Sequence, residues 1–467
     1  MISLSLETIA KVVGGQLIGP AESVVSSSVE TDSRLLVAGS LFVAKPGEVT
    51  DGHNFLQDAK SAGATAAIVE HLVEHVELPQ IIVANSVMAL GELARYVVAE
   101  VKSKGSLRIV GITGSNGKTT TKNMLRTIFE KFGETVAPIE SFNNEVGAPY
   151  SMLRVTEETK FLVVELGAGG KGSIRYLAEM VEIDLAIELK VGLAHAGEFG
   201  SIENTQQIKA ELVESLRPNA KALLNADDAL VAEMQNQTAA EVFWFGSSAQ
   251  GGYQISAPST SLDGTSFDFV YPDGESLNVR LQIIGEHHAM NAGAALASAD
   301  LLALDRNKSV AALAEMPLAE QWRMQVLKRT DGLVLINDAY NASPESTRAA
   351  LRTLAELAKQ TGRRSVAVLG EMAELGEFSA HEHDQIGRLA VRLNIAQVVV
   401  VGQGAKLIHM GASFEGSWDG ESQYFEQISE AKAFLREMLT GNDIVLVKSS
   451  KSAQLRHLGD EIAREQA

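Results

Sequence analysis

Cysteine is absent from this chain of 467 residues. Disulfide bonds, thiolate catalysis and cysteine-ligated zinc are therefore excluded, and a chain without disulfides is suited to a reducing compartment. The sequence also lacks an apolar run of about 18 residues, which a membrane-spanning helix would need. Residues 1–14 show no basic stretch followed by an apolar one, so no export signal is predicted. We expect a cytoplasmic protein.

Positive charge is scarce as well. Lys and Arg total 40 against 59 Asp and Glu, which gives a net charge of -19. This surplus of acid argues against general binding to nucleic acid or to an anionic membrane surface. Internal repeats and low-complexity runs are missing, which excludes a solenoid. The chain is too long for one ordinary hydrophobic core, so we expect an acidic enzyme of several domains.

The segment 110–120 predicts a phosphate-binding loop between an apolar strand and a helix over 120–132. Glycines at positions 114 and 117 allow the backbone N–H groups to turn toward phosphate oxygens. Lys118 adds a positive charge, and the hydroxyl group of Thr119 can ligate Mg²⁺. The helix N-terminus further favours an anion. Ile112 occupies the first glycine position of the usual pattern, so a variant loop is predicted.

Hydrophobic patterning divides the chain into three α/β blocks. Residues 1–100 form a small module of short strands and helices. Residues 101–316 alternate apolar strands with helices, which predicts a mainly parallel sheet around the phosphate loop, followed by alternating strands typical of an antiparallel extension. Residues 317–467 alternate in the manner of a doubly wound sheet. We therefore predict an α/β protein with a small N-terminal domain, a central P-loop ATPase domain and a C-terminal Rossmann-like domain, with hinges near residues 100 and 316.

Several short motifs follow one another along the chain. They are Thr31-Asp-Ser-Arg34, Gly39-Ser-Leu-Phe42, Asp51-Gly-His53, the phosphate loop, Phe142-Asn-Asn-Glu-Val-Gly147, Glu165-Leu-Gly167, His195, Lys209, Asn291, Asn337-Asp-Ala-Tyr-Asn-Ala-Ser-Pro344 and Leu369-Gly-Glu-Met-Ala-Glu-Leu-Gly376. In this order, over essentially the whole chain, they resemble the ATP-dependent Mur ligases of bacterial peptidoglycan synthesis. The segments around Asn143 and Tyr340 resemble the branch of that family that adds D-alanyl-D-alanine to UDP-MurNAc-tripeptide.

The resemblance implies amide synthesis through an acyl phosphate. A substrate carboxylate would attack the γ-phosphate of ATP, and an incoming amine would then displace the phosphate. Because carboxylate and triphosphate repel each other, cations must neutralise both and hold them in line. The family pattern assigns catalytic roles to Lys118, Asn144, Glu165, His195 and Lys209. It implies two Mg²⁺ ions, one held by Thr119 and Glu165 and one held by His195 and a carbamate formed on Lys209.

The remaining matches imply ligand-binding residues. For ATP they are Gly114, Ser115, Asn116, Gly117, Lys118, Thr119, Thr120, Asn291, Arg323 and Asp338. Ser33 and Arg34 match the segment for the UDP end of the precursor, and Asn143 and Asn144 match residues near the muramoyl-peptide carboxylate. Tyr340 and Asn341 are expected near the acceptor dipeptide or the nucleotide.

Three segments contain residues whose roles stay open. His288 stands where the family has asparagine in segment 285–291, so His287 and His288 could equally belong to a simple helix N-terminus. His381 and His383 lie two residues apart and do not face each other on a helix, which favours exposed surface for His381 and leaves the role of His383 open. Lys448-Ser-Ser-Lys451 replaces Lys-Gly-Ser-Arg and keeps the positive charge, but it leaves the acceptor contacts undefined.

Two alternatives stay open on the sequence alone. A sister ligase that adds a single amino acid is the nearest, and it differs in the acceptor that triggers phosphate release. A non-catalytic, ATP-driven scaffold is an alternative of another class. The third residue of the tripeptide is not identified by the sequence, and a monomer is what the family resemblance implies.

Overall fold

The computed structural model describes residues 1–47, 50–139, 141–194, 196–316, 321–416 and 421–464. Their strands form one short antiparallel pair and three larger sheets of five, nine and six strands. None of the helices in these described ranges is sufficiently long and apolar to cross a membrane.

The N-terminal region contains the five-stranded sheet, the short antiparallel pair and three helices. The elements are β1 Leu4–Ser5, α1 Leu6–Val12, β2 Gln16–Ile18, β3 Val24–Val25, β4 Val29–Glu30, β5 Leu41–Val43, α2 Leu56–Ser61, β6 Ala66–Val69, β7 Gln80–Ile82 and α3 Ser86–Ser103. The sheet has the order β2-β7-β6-β5-β4. Strands β4 to β7 are parallel to their neighbours, while β2 runs antiparallel to β7. Both faces of β5 and β6 are buried, as expected for parallel strands covered on each side.

Helix α3 carries the chain from the N-terminal sheet to the central one. Asn85 caps its start by accepting a hydrogen bond from Met88 N at 2.8 Å. The helix ends at Ser103, so the chain is helical at residue 100, where a hinge was expected. Lys102 near the end of the helix forms an ion pair of 2.9 Å with Asp184 of the central region. This helix therefore packs against both regions instead of forming a linker at residue 100.

The nine-stranded central sheet contains the predicted phosphate loop. Its elements are β8 Arg108–Thr113, α4 Lys118–Phe129, β9 Glu134–Val136, α5 Gly147–Met152, β10 Thr159–Glu165, α6 Ser173–Ala178, β11 Leu185–Glu188, α7 Ala196–Phe199, α8 Ile202–Glu214, β12 Lys221–Asn225, α9 Ala229–Glu233, β13 Glu241–Gly246, β14 Tyr253–Ser261, β15 Gly264–Val270, β16 Ser276–Leu281, α10 His287–Leu301 and α11 Arg306–Ala314. The order is β16-β15-β14-β13-β12-β11-β8-β10-β9. From β9 at one edge to β14, each strand is parallel to its neighbours in this order. The β14-β15 and β15-β16 pairs are antiparallel. The predicted parallel sheet with an antiparallel extension is present.

The register of the central sheet aligns the carboxyl ends of three strands. Ile112 of β8 pairs with Glu165 at the end of β10. On the other side of β8, Thr113 pairs with Glu188 at the end of β11. Ligands of open α/β sheets bind outside the carboxyl ends of the strands. The two carboxylates therefore lie on either side of the strand that leads into the phosphate loop.

The six-stranded C-terminal sheet is almost entirely parallel. Its elements are β17 Gln325–Lys328, β18 Val334–Asn337, α12 Pro344–Thr361, β19 Arg364–Leu369, α13 Ser379–Arg392, β20 Gln397–Val401, α14 Lys406–Glu415, β21 Ser422–Phe425, α15 Ile428–Met438, β22 Asp443–Lys448 and α16 Leu455–Arg464. The order is β17-β18-β22-β19-β20-β21, and β17 runs antiparallel to β18. The α/β fold predicted from the sequence is confirmed.

Candidate active site

One cavity of about 600 Å³ lies at the carboxyl edge of the central sheet. Residues of the C-terminal region form its other wall. The cavity brings together most of the residues that the sequence pattern indicated for ATP, metal and substrate. These are Ser115, Asn116, Gly117, Lys118, Thr119, Thr120, Asn143, Asn144, Glu165, Lys209, Asn291, Arg323, Asp338, Tyr340 and Asn341.

The phosphate loop has the backbone geometry that its glycines permit. Gly114 and Gly117 have φ angles of 148° and 89°, in the region that favours glycine. Helix α4 begins at Lys118, two residues before the predicted start at 120, because the loop ends directly in the helix. Lys118 Nζ donates to the carbonyl oxygen of Gly114 at 2.6 Å. Burial lowers the pKa of Lys118, and the nearby Glu165 carboxylate opposes that effect.

Glu165 lies beside Thr119 at the entrance to α4. Thr119 Oγ1 donates to Glu165 Oε1 at 3.4 Å, and Asn143 Nδ2 donates to the same oxygen at 2.8 Å. Glu165 is fully buried. Its second oxygen, Oε2, has no hydrogen-bond partner within the described part of the chain. A buried carboxylate oxygen without a partner is costly, so this site is suited to a cation that coordinates oxygen.

Lys209 on helix α8 faces a carboxylate that the sequence pattern did not single out. Lys209 is 2% exposed and lines the cavity, and Glu188, the last residue of β11, has no exposed surface. Neither carboxylate oxygen of Glu188 has a hydrogen-bond partner among the described residues, and burial raises its pKa. Burial, together with the charge of Lys118, lowers the pKa of Lys209 to about 7. The sequence signal for Glu188 was an apolar strand ending in glutamate, the same signal that identified Glu165.

The C-terminal wall contributes an arginine and an ion pair. Arg323 Nη2 donates to the hydroxyl oxygens of Thr119 and Ser141, each at 3.4 Å, and its guanidinium group lies 4.2 Å from the ring centroid of Tyr340. Asp338 accepts a hydrogen bond from Lys448 Nζ at 2.6 Å. Lys448 is nearly buried and was left without a defined role by the sequence. It holds the Asp338 carboxylate at the cavity wall.

Other predicted residues lie elsewhere. Ser33 and Arg34 do not line the cavity, and the exposed Arg34 pairs with Asp32 at 2.6 Å. Gly114 is absent from the lining and contributes its carbonyl oxygen to Lys118. His195 lies outside the described residues, so its metal role stays a prediction.

The two histidines of segment 381–383 have separate surroundings. His381 is exposed, as expected. The buried ring of His383 accepts from Met372 N at 3.0 Å through Nε2 and donates through Nδ1 to the carbonyl oxygen of Ser379 at 2.7 Å. Both ring nitrogens are therefore used to hold the loop before α13. This gives His383 a structural role that the sequence left open.

Glu345 joins the C-terminal wall to the loop that follows β11. Its Oε1 accepts a hydrogen bond from Leu193 N at 3.0 Å, and its carboxylate packs against Gly192, where a side chain would collide with it. Gly192 in turn exchanges hydrogen bonds with Ser115 Oγ at 2.9 and 3.1 Å. Glu345 thus connects helix α12 to the phosphate loop through two residues.

Replacing Glu345 with alanine is expected to loosen this contact between the two walls. Leu193 N would lose its charged acceptor, which costs about 1 kcal/mol for a half-buried hydrogen bond. Small-angle X-ray scattering of the ADP-bound protein should then give a larger radius of gyration than for the unchanged chain. Arg352→Ala, on the exposed face of the same helix, is the control and should not change the scattering. Identical scattering curves for Glu345→Ala and the unchanged chain would contradict the role of this contact.

Comparisons with known proteins cover the whole length of the chain. Three family models match: the Mur ligase family catalytic domain over residues 26–98, the Mur ligase middle domain over 112–299 and the Mur ligase glutamate ligase domain over 322–451. A UDP-N-acetylmuramoyl-tripeptide–D-alanyl-D-alanine ligase of Mycobacterium bovis is 39% identical, with 100% of this chain and 98% of the relative covered. The ligase of the same name from Escherichia coli is 32% identical, with 98% of each covered.

Solved structures are similar over the same length. A crystal structure of MurF from Acinetobacter baumannii superimposes with a TM-score of 0.89 at 29% identity, covering 100% of both chains. MurF from Thermotoga maritima in complex with ADP superimposes with a TM-score of 0.80 at 26% identity, covering 94% of this chain and 98% of the other. The identity to the Mycobacterium relative and the three matching models establish that this chain belongs to the Mur ligase family.

Proposed function

We propose that this protein uses ATP to join D-alanyl-D-alanine to the terminal carboxylate of UDP-MurNAc-tripeptide, which gives UDP-MurNAc-pentapeptide, ADP and phosphate. The observation that carries the proposal is the end-to-end similarity to ligases that bear the name of this reaction. The cavity supports the proposal. The phosphate loop with Lys118 and the buried carboxylate of Glu165 lie on its central wall, and Arg323 lies on the C-terminal wall.

The nucleotide phosphates would bind at the loop between β8 and α4. Backbone N–H groups at the N-terminus of α4 and the Lys118 ammonium group supply donors and positive charge. Lys118 now donates to Gly114 O, a contact that a phosphate oxygen can replace. Arg323 approaches Thr119 from the opposite wall, and its forked donors are suited to phosphate oxygens. The triphosphate would therefore be bound from both sides.

Thr119 and Glu165 form a suitable site for Mg²⁺. A hydroxyl and a carboxylate oxygen are ligands of the kind this hard cation takes, and Glu165 Oε2 has no partner among the described residues. The described residues contain no group of three or more His, Cys, Asp or Glu side chains placed to hold a metal ion. When bound, Mg²⁺ would neutralise charge on the phosphates and on the attacking carboxylate. A second ion held by His195 and a Lys209 carbamate is part of the proposal.

Two asparagines would position the carboxylate of the tripeptide. Asn143 Nδ2 is held by Glu165 Oε1, so Asn143 orients the proposed metal ligand. Asn144 Oδ1 accepts from Gly147 N at 2.8 Å, which turns the amide NH₂ group into the position to donate. A neutral donor can bind a carboxylate near the phosphates without adding negative charge. The same donor can stabilise the oxyanion that forms when the amine attacks the acyl phosphate.

We further propose that three domains, residues 1–100, 101–316 and 317–467, bind the three substrates. Ser33 and Arg34 would bind the UDP end, the phosphate loop ATP, and the region of Tyr340 and Asn341 the dipeptide. The exposed Arg34 side chain can give up its ion pair with Asp32 and bind a diphosphate instead, because an exposed ion pair contributes little free energy. Closure of the C-terminal wall would exclude water, which otherwise hydrolyses the acyl phosphate.

The test is phosphate release by the purified protein with ATP, Mg²⁺ and UDP-MurNAc-tripeptide. D-alanyl-D-alanine, single amino acids and no acceptor are compared, and the product mass is measured in parallel. Release that depends on the dipeptide, together with a pentapeptide mass, is expected. Release with a single amino acid would assign the protein to a sister branch. No release with any acceptor would favour a nucleotide-binding scaffold.

A further inference from the structure

Two buried polar atoms at the contact between the C-terminal wall and the phosphate loop lack hydrogen-bond partners among the described residues. They are Glu345 Oε2, near the start of α12, and Asn116 Nδ2 in the loop. Both residues line the cavity. Ser343 joins the two sides, since its Oγ donates to Asn116 Oδ1 at 3.0 Å. An unpartnered acceptor and an unpartnered donor at one contact indicate a ligand that donates to the first and accepts from the second.

The other carboxylates that line the cavity are satisfied in other ways. They are Asp227, Asp228, Asp338, Glu145 and Glu165. The aspartates each accept hydrogen bonds through both oxygens. Glu145 is exposed to solvent, and Glu165 is the proposed Mg²⁺ ligand. Within the described lining, Glu345 is therefore the carboxylate that keeps a buried oxygen for a further cationic group.

The proposed reaction brings one cationic group to this part of the cavity. The α-amino group of a peptide has a pKa of about 8, so most of it is an ammonium ion at neutral pH. It must reach the acyl carbon, which carries the phosphate transferred from ATP at the loop. The Glu345 carboxylate lies close to that loop, because it packs against Gly192, which exchanges hydrogen bonds with Ser115. The carboxylate is thus placed where the amine has to arrive, and Asn116 Nδ2 is placed to donate to a phosphate oxygen.

We propose that Glu345 Oε2 binds the ammonium group of the acceptor dipeptide and takes one proton from it. The inference rests on the proposed ligase function and adds the residue that recognises the amine. Once the proton is on the carboxylate, the nitrogen lone pair forms the bond to the acyl carbon. The C–O bond to phosphate breaks, its electrons leave with phosphate, and phosphate takes a second proton from the nitrogen. Glu345 Oε1 keeps its hydrogen bond with Leu193 N, which holds the carboxylate in position for this step.

The test measures pentapeptide formation by Glu345→Gln at saturating ATP and UDP-MurNAc-tripeptide. Glutamine keeps a carbonyl oxygen for Leu193 N but removes the charge, so kcat/KM for D-alanyl-D-alanine should fall by about 10- to 100-fold. The KM for ATP and the scattering of the ADP-bound protein should stay as in the unchanged chain. Glu356→Gln, on the same helix and outside the cavity lining, is the control and should change none of these values. An unchanged kcat/KM for the dipeptide in Glu345→Gln would overturn the inference.

A neutral nucleophile separates recognition of the amine from a general structural effect. Hydroxylamine is mostly uncharged at neutral pH and converts an acyl phosphate into a hydroxamate, with no ammonium ion to bind. The hydroxamate of the tripeptide, measured by its mass, should form at the same rate with Glu345→Gln and with the unchanged protein. An equal loss of rate with hydroxylamine and with the dipeptide would overturn the inference. If the unchanged protein forms neither hydroxamate nor pentapeptide, the proposed function itself fails, and this inference with it.

Discussion

Lys118→Ala is expected to lower kcat/KM for pentapeptide formation by at least about 10³-fold. The Lys118 ammonium group lies at the end of the phosphate loop, where its charge is partly desolvated. In the reaction it would neutralise the γ-phosphate while a carboxylate approaches, and a second positive charge, that of Arg323, comes from the opposite wall. Alanine removes the charge but keeps the helix, since it is a good helix former. The loss should therefore be in turnover and not in folding.

Two further variants make the Lys118 prediction specific. Lys131→Ala removes an exposed lysine that pairs with Glu315 on the surface, and it should leave the rate unchanged. Lys118→Arg keeps the charge but not the compact shape of the ammonium group, so an intermediate loss is expected. Rates come from product mass, and folding is checked by thermal melting. A normal rate for Lys118→Ala would contradict the catalytic role of this lysine.

Lys209→Ala is expected to lower the same rate by about two to three orders of magnitude. The amine of Lys209 is buried beside the cavity, and its pKa is lowered to about 7, first by burial and then by Lys118. A large fraction is therefore neutral at neutral pH, as reaction with CO₂ requires, whereas an ordinary lysine is almost wholly protonated there. The resulting carbamate would be an anionic ligand for a second Mg²⁺. Added bicarbonate should not restore Lys209→Ala, but a short carboxylic acid should do so in part.

The carbamate can be observed directly. Protein equilibrated with ¹³C-bicarbonate should show a carbamate signal that Lys209→Ala lacks. Because the folded pKa is lowered, the proton returns as pH falls through about 7, and the neutral amine decreases about tenfold between pH 8 and pH 6. The signal and the rate should therefore both fall on acidification. Lys221→Met is the control, since its ammonium group donates to Leu301 O outside the cavity. A normal rate for Lys209→Ala would defeat the assignment.

The residues that the sequence identified belong to continuous motifs. The phosphate loop and Glu165 each sit at the end of an apolar strand, and that local pattern is sufficient to place them at one edge of a parallel sheet. Asn143 and Asn144 were identified by the resemblance of segment 142–147 to the family pattern. These residues line one cavity because the register of β8 and β10 aligns the strand ends.

Two roles that the sequence missed depend on neighbours distant in the chain. Glu345 is defined by its contact with Leu193, and Lys448 by its ion pair with Asp338. No local pattern encodes such pairs. Helix α3 is a different case, because its stop signal was available: Gly105, with a φ angle of 89°, follows the helix and marks its end later than residue 100.

The central claim is that the tripeptide carboxylate attacks the γ-phosphate of ATP before the dipeptide amine forms the new bond. UDP-MurNAc-tripeptide labelled with ¹⁸O in its terminal carboxylate, incubated with the protein, ATP, Mg²⁺ and D-alanyl-D-alanine, tests it directly. Mass spectrometry of both products should find one ¹⁸O atom in each phosphate released and one retained in the new amide of the pentapeptide. Pentapeptide formed together with unlabelled phosphate, or phosphate released with no pentapeptide, would contradict the account.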